Sequence, residues 1–245
     1  MKLSYVSPDG DVFGGLIGGG GPAIEVDTLT GFVGQFEDTR VQVPGVPGGF
    51  VDLRDRVVQP MTGSFTVVVG SREEWLRVRR GFSTSLPGRL ELDNDNGAVW
   101  SPVRLAVSLP SPGAAPNEGA RIPVELVSEA GCWFETHSAP GGVATVENDG
   151  DVPIAPTVVW SGAGGRVVLP SGASFSLPDV SGEHRLSLAP ENSGRVVAPD
   201  GTFSKSVTQQ AGAVGERVPI GMQRTYTVPS GARLEWNVGR FDPWI

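Results

Sequence analysis

The chain has one cysteine in 245 residues, Cys132. A single thiol excludes an intrachain disulfide and a cysteine-based zinc cage. Cys132 stands beside Trp133 and Phe134 with no His or Asn partner pattern, so it reads as a buried apolar thiol rather than a nucleophile. Histidine is nearly as scarce. His137 and His184 fall in an expected linker and an expected turn, and no spacing brings together the three or four ligands that a metal needs. No apolar run approaches the roughly 18 residues of a membrane span, and the start MKLSYVSPDG has no apolar leader segment; the expectation is a soluble chain made in a cytoplasm. Positive charge is also short. Lys and Arg number 19 against 27 Asp and Glu, a formal net charge of -8, with acidic residues in excess in both halves. Such a surface offers phosphates no attractive field and argues against sequence-independent nucleic-acid binding.

Catalytic patterns are missing as well. Gly-x-Ser-x-Gly does not occur. The glycine-rich stretch Gly14 to Gly21 lacks the Gly-Lys-Ser/Thr ending, and Gly20-Gly21-Pro22 breaks the helix a phosphate loop needs, so it reads as a loop. Asp93-Asn94-Asp95-Asn96-Gly97 resembles half a calcium loop, but Ala98 and Arg104 occupy the positions that require Gly and Glu; a hairpin turn is the better reading. Glu147, Asp149 and Asp151 are the carboxylates nearest to a glycosidase pair, yet they crowd into one turn that ordinary turn chemistry explains. No catalytic residue, metal ligand or cofactor is assigned, and an enzyme is not expected.

What the chain does have is turns. Gly 35 and Pro 21 are spread between apolar runs, as in a protein of many short strands. In the first half, strands are expected at Leu3 to Val6, Ala23 to Val26, Gly31 to Phe36, Asp38 to Val43, Phe50 to Arg56 and Ser64 to Val69. Further strands follow at Arg89 to Leu92, Ala98 to Trp100, Val103 to Leu109 and Arg121 to Val127. Ser71-Arg72-Glu73-Glu74 is a capping box. It starts the one expected helix, Arg72 to Phe82, with Trp75, Val78, Arg79 and Phe82 on one face. Arg72, Arg77, Arg79 and Arg80 then form a solvated or subunit-contacting face.

A second unit opens at VATVENDGDVPIAPTVVWSG, residues 143–162, two strands around an Asn-Asp-Gly-Asp turn. Strands at short, regular spacing continue to Arg233 to Val238, the pattern of a sandwich. The organisation expected is thus mainly β: residues 1–134 as an N-terminal β-sandwich or split barrel with one α-helix, residues 138–142 as a linker, and residues 143–245 as a C-terminal β-sandwich. The aromatic tail, Phe241 to Ile245, should pack back onto one of them. Trp160 and Trp236 are weak candidates for sugar stacking, although a strand tryptophan is more often core.

The order of these motifs resembles the distal tail (Dit) proteins of long-tailed, non-contractile bacteriophages, in the form found in phages of actinobacteria. The resemblance rests on Leu53-Arg54-Asp55-Arg56, SFTVVV, the capped SREEWLRVRRGF, RLEL, Trp133-Phe134, VENDGDVPIAPTVVWSG and the ending VPSGARLEWNVGRFDPWI. It implies a C-terminal galectin-like (jelly-roll) sandwich and an N-terminal domain that closes a hexameric ring of identical copies at the virion tail tip. There the ring joins the tail tube protein to the baseplate hub or tail-associated protein. Tape measure and receptor-binding proteins are further implied partners, there is no membrane, and DNA is only passing cargo. Candidates for the ring interface are Arg54, Asp55, Arg56, Arg77 and Arg80, since opposite charges on adjacent copies can fix register. The other reading kept open is a tail-associated or surface lectin for a host cell-wall glycan.

Overall fold

The computed structural model describes residues 1–245 except 18–20, 43, 46, 53–55, 96, 112–118, 193 and 245. It divides into two compact units, one formed by Met1–Phe134 with Arg240–Ile245, the other by Glu135–Gly239.

Unit 1 begins with β1 (Lys2–Val6) and β2 (Val12–Ile17), followed by the two-residue strands β3 (Ala23–Ile24) and β4 (Thr30–Gly31). Next come β5 (Gln35–Glu37), β6 (Arg40–Val41), β7 (Phe50–Val51) and β8 (Val57–Gln59). The long elements are β9 (Met61–Val69), α1 (Arg72–Gly81), β10 (Gly88–Asn94), β11 (Gly97–Leu105), β12 (Ala120–Ser128) and the start of β13 (Trp133–Glu147). One antiparallel layer runs β2-β1-β10-β11. The other places β9 between β12 and the short β3 and β4, and β12 also meets the end of β11. Alternation along the strands turns Leu3, Tyr5, Leu90 and Leu92 inward from the first layer, and Phe65, Val67, Ile122 and Val124 from the second, into one core. Asn94 stands opposite Gly97 in the β10–β11 pair.

One tight spot holds the layers in place. Phe32 has φ 59, a left-handed value that costs a side-chain-bearing residue energy. Its amide donates to the Thr62 carbonyl at 2.9 Å, and its own carbonyl accepts from Trp133 Nε1 at 2.8 Å. Gly63 makes room for the ring: a Cβ there would run into it.

Unit 2 takes β13 onward through β14 (Thr157–Gly162), β15 (Gly165–Val168), β16 (Ser174–Leu177) and β17 (Val180–Ser187). A 3₁₀ turn at Pro190–Asn192, β18 (Val196–Val197), α2 (Lys205–Ala211) and β19 (Gln223–Arg240) complete it. β19 serves both layers of a sandwich. Near its start Thr227 pairs with Val168 of β15, which pairs with β16. Further on, Ala232 to Glu235 pair with β14, which pairs with β17 and so with β18. The change of layer falls at Pro229-Ser230-Gly231. β13 lies beside β19 and has its own Pro140-Gly141-Gly142 there; a Cβ on Gly141 would collide with the Pro229 carbonyl. Glycine is needed where the two bends touch. The core between the layers includes Val146, Val158, Trp160, Val167, Leu177, Leu186, Tyr226 and Leu234.

Several expectations are corrected. Residues 138–142 are the bend inside β13 rather than a linker. The first part of the glycine-rich stretch belongs to strand β2, whose Phe13 and Leu16 are both buried; they stand three residues apart, and a register shift against β1 interrupts simple alternation there. Ala98 to Trp100 and Val103 to Leu109 are largely one strand, ending at Leu105. Gly31 to Phe36 is interrupted, because Phe32 turns the chain out of the ladder. α2 is a second helix, too polar to show an apolar period, stopped by Gly212 in the left-handed region.

Candidate interaction surfaces

In unit 1, β5 pairs with β8 and β6 with β7, so these four strands double back as a two-stranded ribbon. Its base is braced. The Phe36 ring lies between the Arg56 guanidinium, 3.7 Å from its centroid, and the Phe241 ring at 5.5 Å. Arg56 also forms a two-pronged ion pair with Asp38, at 2.8 and 3.2 Å, and this bond holds the Asp38 carboxyl below its usual range. The Gly34 amide donates to the Phe241 carbonyl at 2.7 Å. Beyond the base the ribbon shows Val41, Phe50 and Val57 to solvent, Phe50 with 66% of its surface exposed. Two strands alone have no second layer to cover such groups. Arg54 and Asp55, expected on this ribbon, lie outside the described residues.

α1 starts at the expected N-cap, but the return bond of the capping box is displaced by one residue. Ser71 Oγ accepts from the Glu74 amide at 3.1 Å, while the Glu74 carboxylate reaches back to the Gly70 amide at 2.7 Å. The arginines of the helix then separate in role. Arg77 clamps Asp11 on the β1–β2 turn, with Nε to Oδ2 at 2.7 Å, and lies 4.7 Å over the Phe13 ring; its hydrogen bond pulls the Asp11 carboxyl below the usual range. Arg79 donates to the Pro110 carbonyl and covers Trp75. Arg80 is exposed beside a 330 Å³ cleft lined by Ser7, Asp9, Glu73 and Leu76 among others. Of the ring candidates, Arg56 and Arg77 are thus held within the chain, and Arg80 is the described one left pointing outward.

The outer face of the β17-β14-β19 layer in unit 2 carries an arrangement that spacing alone did not show. Arg185 meets Glu183 and Glu235; Arg233 meets Glu183 at 2.9 Å and Glu235 at 2.7 Å. The four charges close a square around Val159, which stands opposite both arginines in the two registers and is fully buried. Burial works to raise the Glu235 carboxyl, but the hydrogen bonds from Arg233 and Arg185 outweigh it and hold the group low. The signal available in sequence was Glu-x-Arg and Arg-x-Glu on two strands; the pairing of both with one central strand was not.

The tryptophans correct the stacking expectation. Trp160 is 2% exposed, faces the core and donates Nε1 to the Pro178 carbonyl at 3.0 Å. Trp236 is part-buried with His137 stacked on it at 5.7 Å, and His137 in turn meets Glu135 at 3.2 Å. Neither offers a bare ring to a sugar. Glu147, Asp149 and Asp151 remain on one tight turn, organised by buried Asn148. Its Nδ2 donates to the Val152 and Val218 carbonyls, and its Oδ1 accepts from the Gly150 amide. Among the described residues no group of three or more His, Cys, Asp or Glu could hold a metal ion, and no helix is long and apolar enough to cross a membrane.

No protein-family model and no curated protein sequence matches the chain. Solved structures do. The Dit protein of phage SPP1, described as a paradigm of the hub adsorption apparatus in phages infecting Gram-positive bacteria, superposes with a TM-score of 0.56 at 11% identity, over 97% of this chain and 98% of that one. A chain of the phage P2 baseplate, activated with calcium, gives 0.57 at 8% identity over 97% of each chain. The strontium-activated form gives 0.54 at 8% identity over 96% and 97%. Over essentially its whole length, the chain has the fold of phage Dit and baseplate proteins.

Proposed function

We propose that this chain is a distal tail protein: a structural, non-enzymatic component of a phage tail tip. In this reading six copies close a ring that joins the tail tube to the baseplate hub, takes part in host attachment and lets DNA pass. The tape measure and receptor-binding proteins are its further neighbours. The observation that carries the reading is the correspondence with Dit and baseplate chains over nearly the full length of both partners. A fold shared in one domain only would say much less.

The ribbon of β5 to β8 supplies a physical reason for assembly. Exposed Val41, Phe50 and Val57 need a cover, and a second copy repeating one head-to-tail contact around an axis supplies it in a closed ring. Arg80 remains a candidate for fixing register. Arg56 is a poor one, because reversing its charge would break its ion pair with Asp38 and uncover Phe36.

The test is mass photometry and negative-stain imaging of the full chain, with Phe50→Asp and Arg80→Glu variants. A six-fold ring is expected for the wild type. Phe50→Asp should be folded by circular dichroism and largely monomeric, and Arg80→Glu should assemble more weakly. A wild-type chain that stays monomeric at high concentration and is absent from the tail tip on labelled virions would overturn the reading.

A further inference from the structure

The charge square of unit 2 borders a 400 Å³ cleft, within the roughly 300–1,000 Å³ typical of small-molecule sites. The cleft opens on the outer face where β13 and β19 change layer. Its walls are Ser138 and Pro140 from β13, Val159 and Ser161 from β14, Glu183 from β17, and Ser230 and Arg233 from β19, with small residues between. Trp160 also borders it, but its ring is in the core, so it meets the cleft through its main chain.

The chemistry of these walls is specific. The hydroxyls of Ser138, Ser161 and Ser230 have no protein hydrogen bond among the described residues, and all three residues are exposed. Each hydroxyl can donate once and accept twice. Arg233 spends Nε on Glu235 and one Nη on Glu183, leaving the N–H groups of its other Nη unspent. Glu183, held by two arginines, keeps lone pairs to spare. Donors and acceptors therefore line one concavity. Because the square is neutral, it favours neither an anion nor a cation. Its ion pairs also hold Arg233 and Glu183 in place, so a ligand need not bear the entropy of ordering them.

We propose that this cleft binds a neutral saccharide. Vicinal ring hydroxyls, each both donor and acceptor, match the serine hydroxyls, the free Arg233 N–H groups and the Glu183 carboxylate, and exposed Pro140 supplies apolar contact to the C–H edge. No exposed aromatic platform lines the cleft, so affinity rests on hydrogen bonding and is millimolar. This site is independent of ring assembly and of the tryptophans.

The experiment is a two-dimensional amide NMR titration of the full-length, isotopically labelled protein with galactose, glucose, N-acetylglucosamine and rhamnose, and with glucuronate as the charged control. Saturable shifts confined to residues 138–141, 159–161 and 230–233 are expected with at least one neutral sugar. They should weaken at least tenfold in the Ser161→Ala/Ser230→Ala double variant and vanish in Ser161→Tyr, which fills the cleft. Absence of such shifts with all four sugars, shifts that survive Ser161→Tyr, or tighter binding of glucuronate than of glucose would each overturn the proposal.

Discussion

Both tyrosines of the chain are fully buried. Tyr5 stacks on Phe82, 4.2 Å between centroids, and donates to the Gly81 carbonyl; Tyr226 donates to the Glu216 carbonyl. Burial pushes the Tyr5 phenol up to about 12 and raises that of Tyr226 as well. An unfolded phenol ionises near about pH 10. The folded value is the higher one, so this contribution to stability is intact below about pH 10 and is lost as the pH climbs through the folded value. Tyrosinate absorbance should then appear in one step with the loss of native circular dichroism. Half of the tyrosinate signal rising near pH 10 in a chain that is still folded would show that one ring is accessible. Trp160 teaches the same lesson from a different side chain: a strand tryptophan is legible as aromatic, while its direction, into the core and onto the Pro178 carbonyl, depends on which face of the sheet its neighbours cover.

Among the elements, α1 was the most legible, because a serine N-cap and an apolar stripe are local signals and both are present. The Asn148 turn was legible as a turn but not as a junction. Asn148 bonds the carbonyl of Val218, 70 residues away, as well as that of nearby Val152, and so ties the start of the second unit to a segment near its end. Replacing it with Ala strips buried polar groups of partners, which costs about 1–3 kcal/mol. Asn148→Ala should lower stability by that amount in chemical denaturation, whereas exposed Ser161→Ala should change it by less than about 0.5 kcal/mol. Equal effects would mean the turn is ordinary. The two bends at 140–142 and 229–231 were invisible for a different reason: Pro-Gly-Gly and Pro-Ser-Gly mean a loop in most chains, and here they are corners of continuing strands.

At the scale of the molecule, the C-terminal tail belongs with the first unit. Phe241 is buried against Phe36, Trp244 meets Trp133 edge-on, and Asn94 donates to the Pro243 carbonyl. Residues 1–134 alone, the N-terminal unit expected from sequence, would lack this brace. Phe241→Ala removes a buried ring and should cost about 3 kcal/mol. Hydrogen exchange should place that loss in β1, β10 and β11, with β14 and β17 unchanged; slower or equal exchange in the first unit would contradict the assignment of the tail.

Composition and local pattern were enough to establish a β-rich chain of many turns, one capped helix, a lone cysteine and an excess of acidic residues. Each of those follows from residue type or from spacing over a few positions. The motif order was enough to suggest the Dit fold that the structure has. Tertiary structure alone decided which long strands change layers, which tryptophans are core, and which arginines are already spent. It also decided that Glu183, Arg185, Arg233 and Glu235 meet around Val159. The physical reason is range: periodicity records which way a side chain points along its own strand, and it carries no information about the strand that pairing brings alongside, here some 50 residues further along the chain.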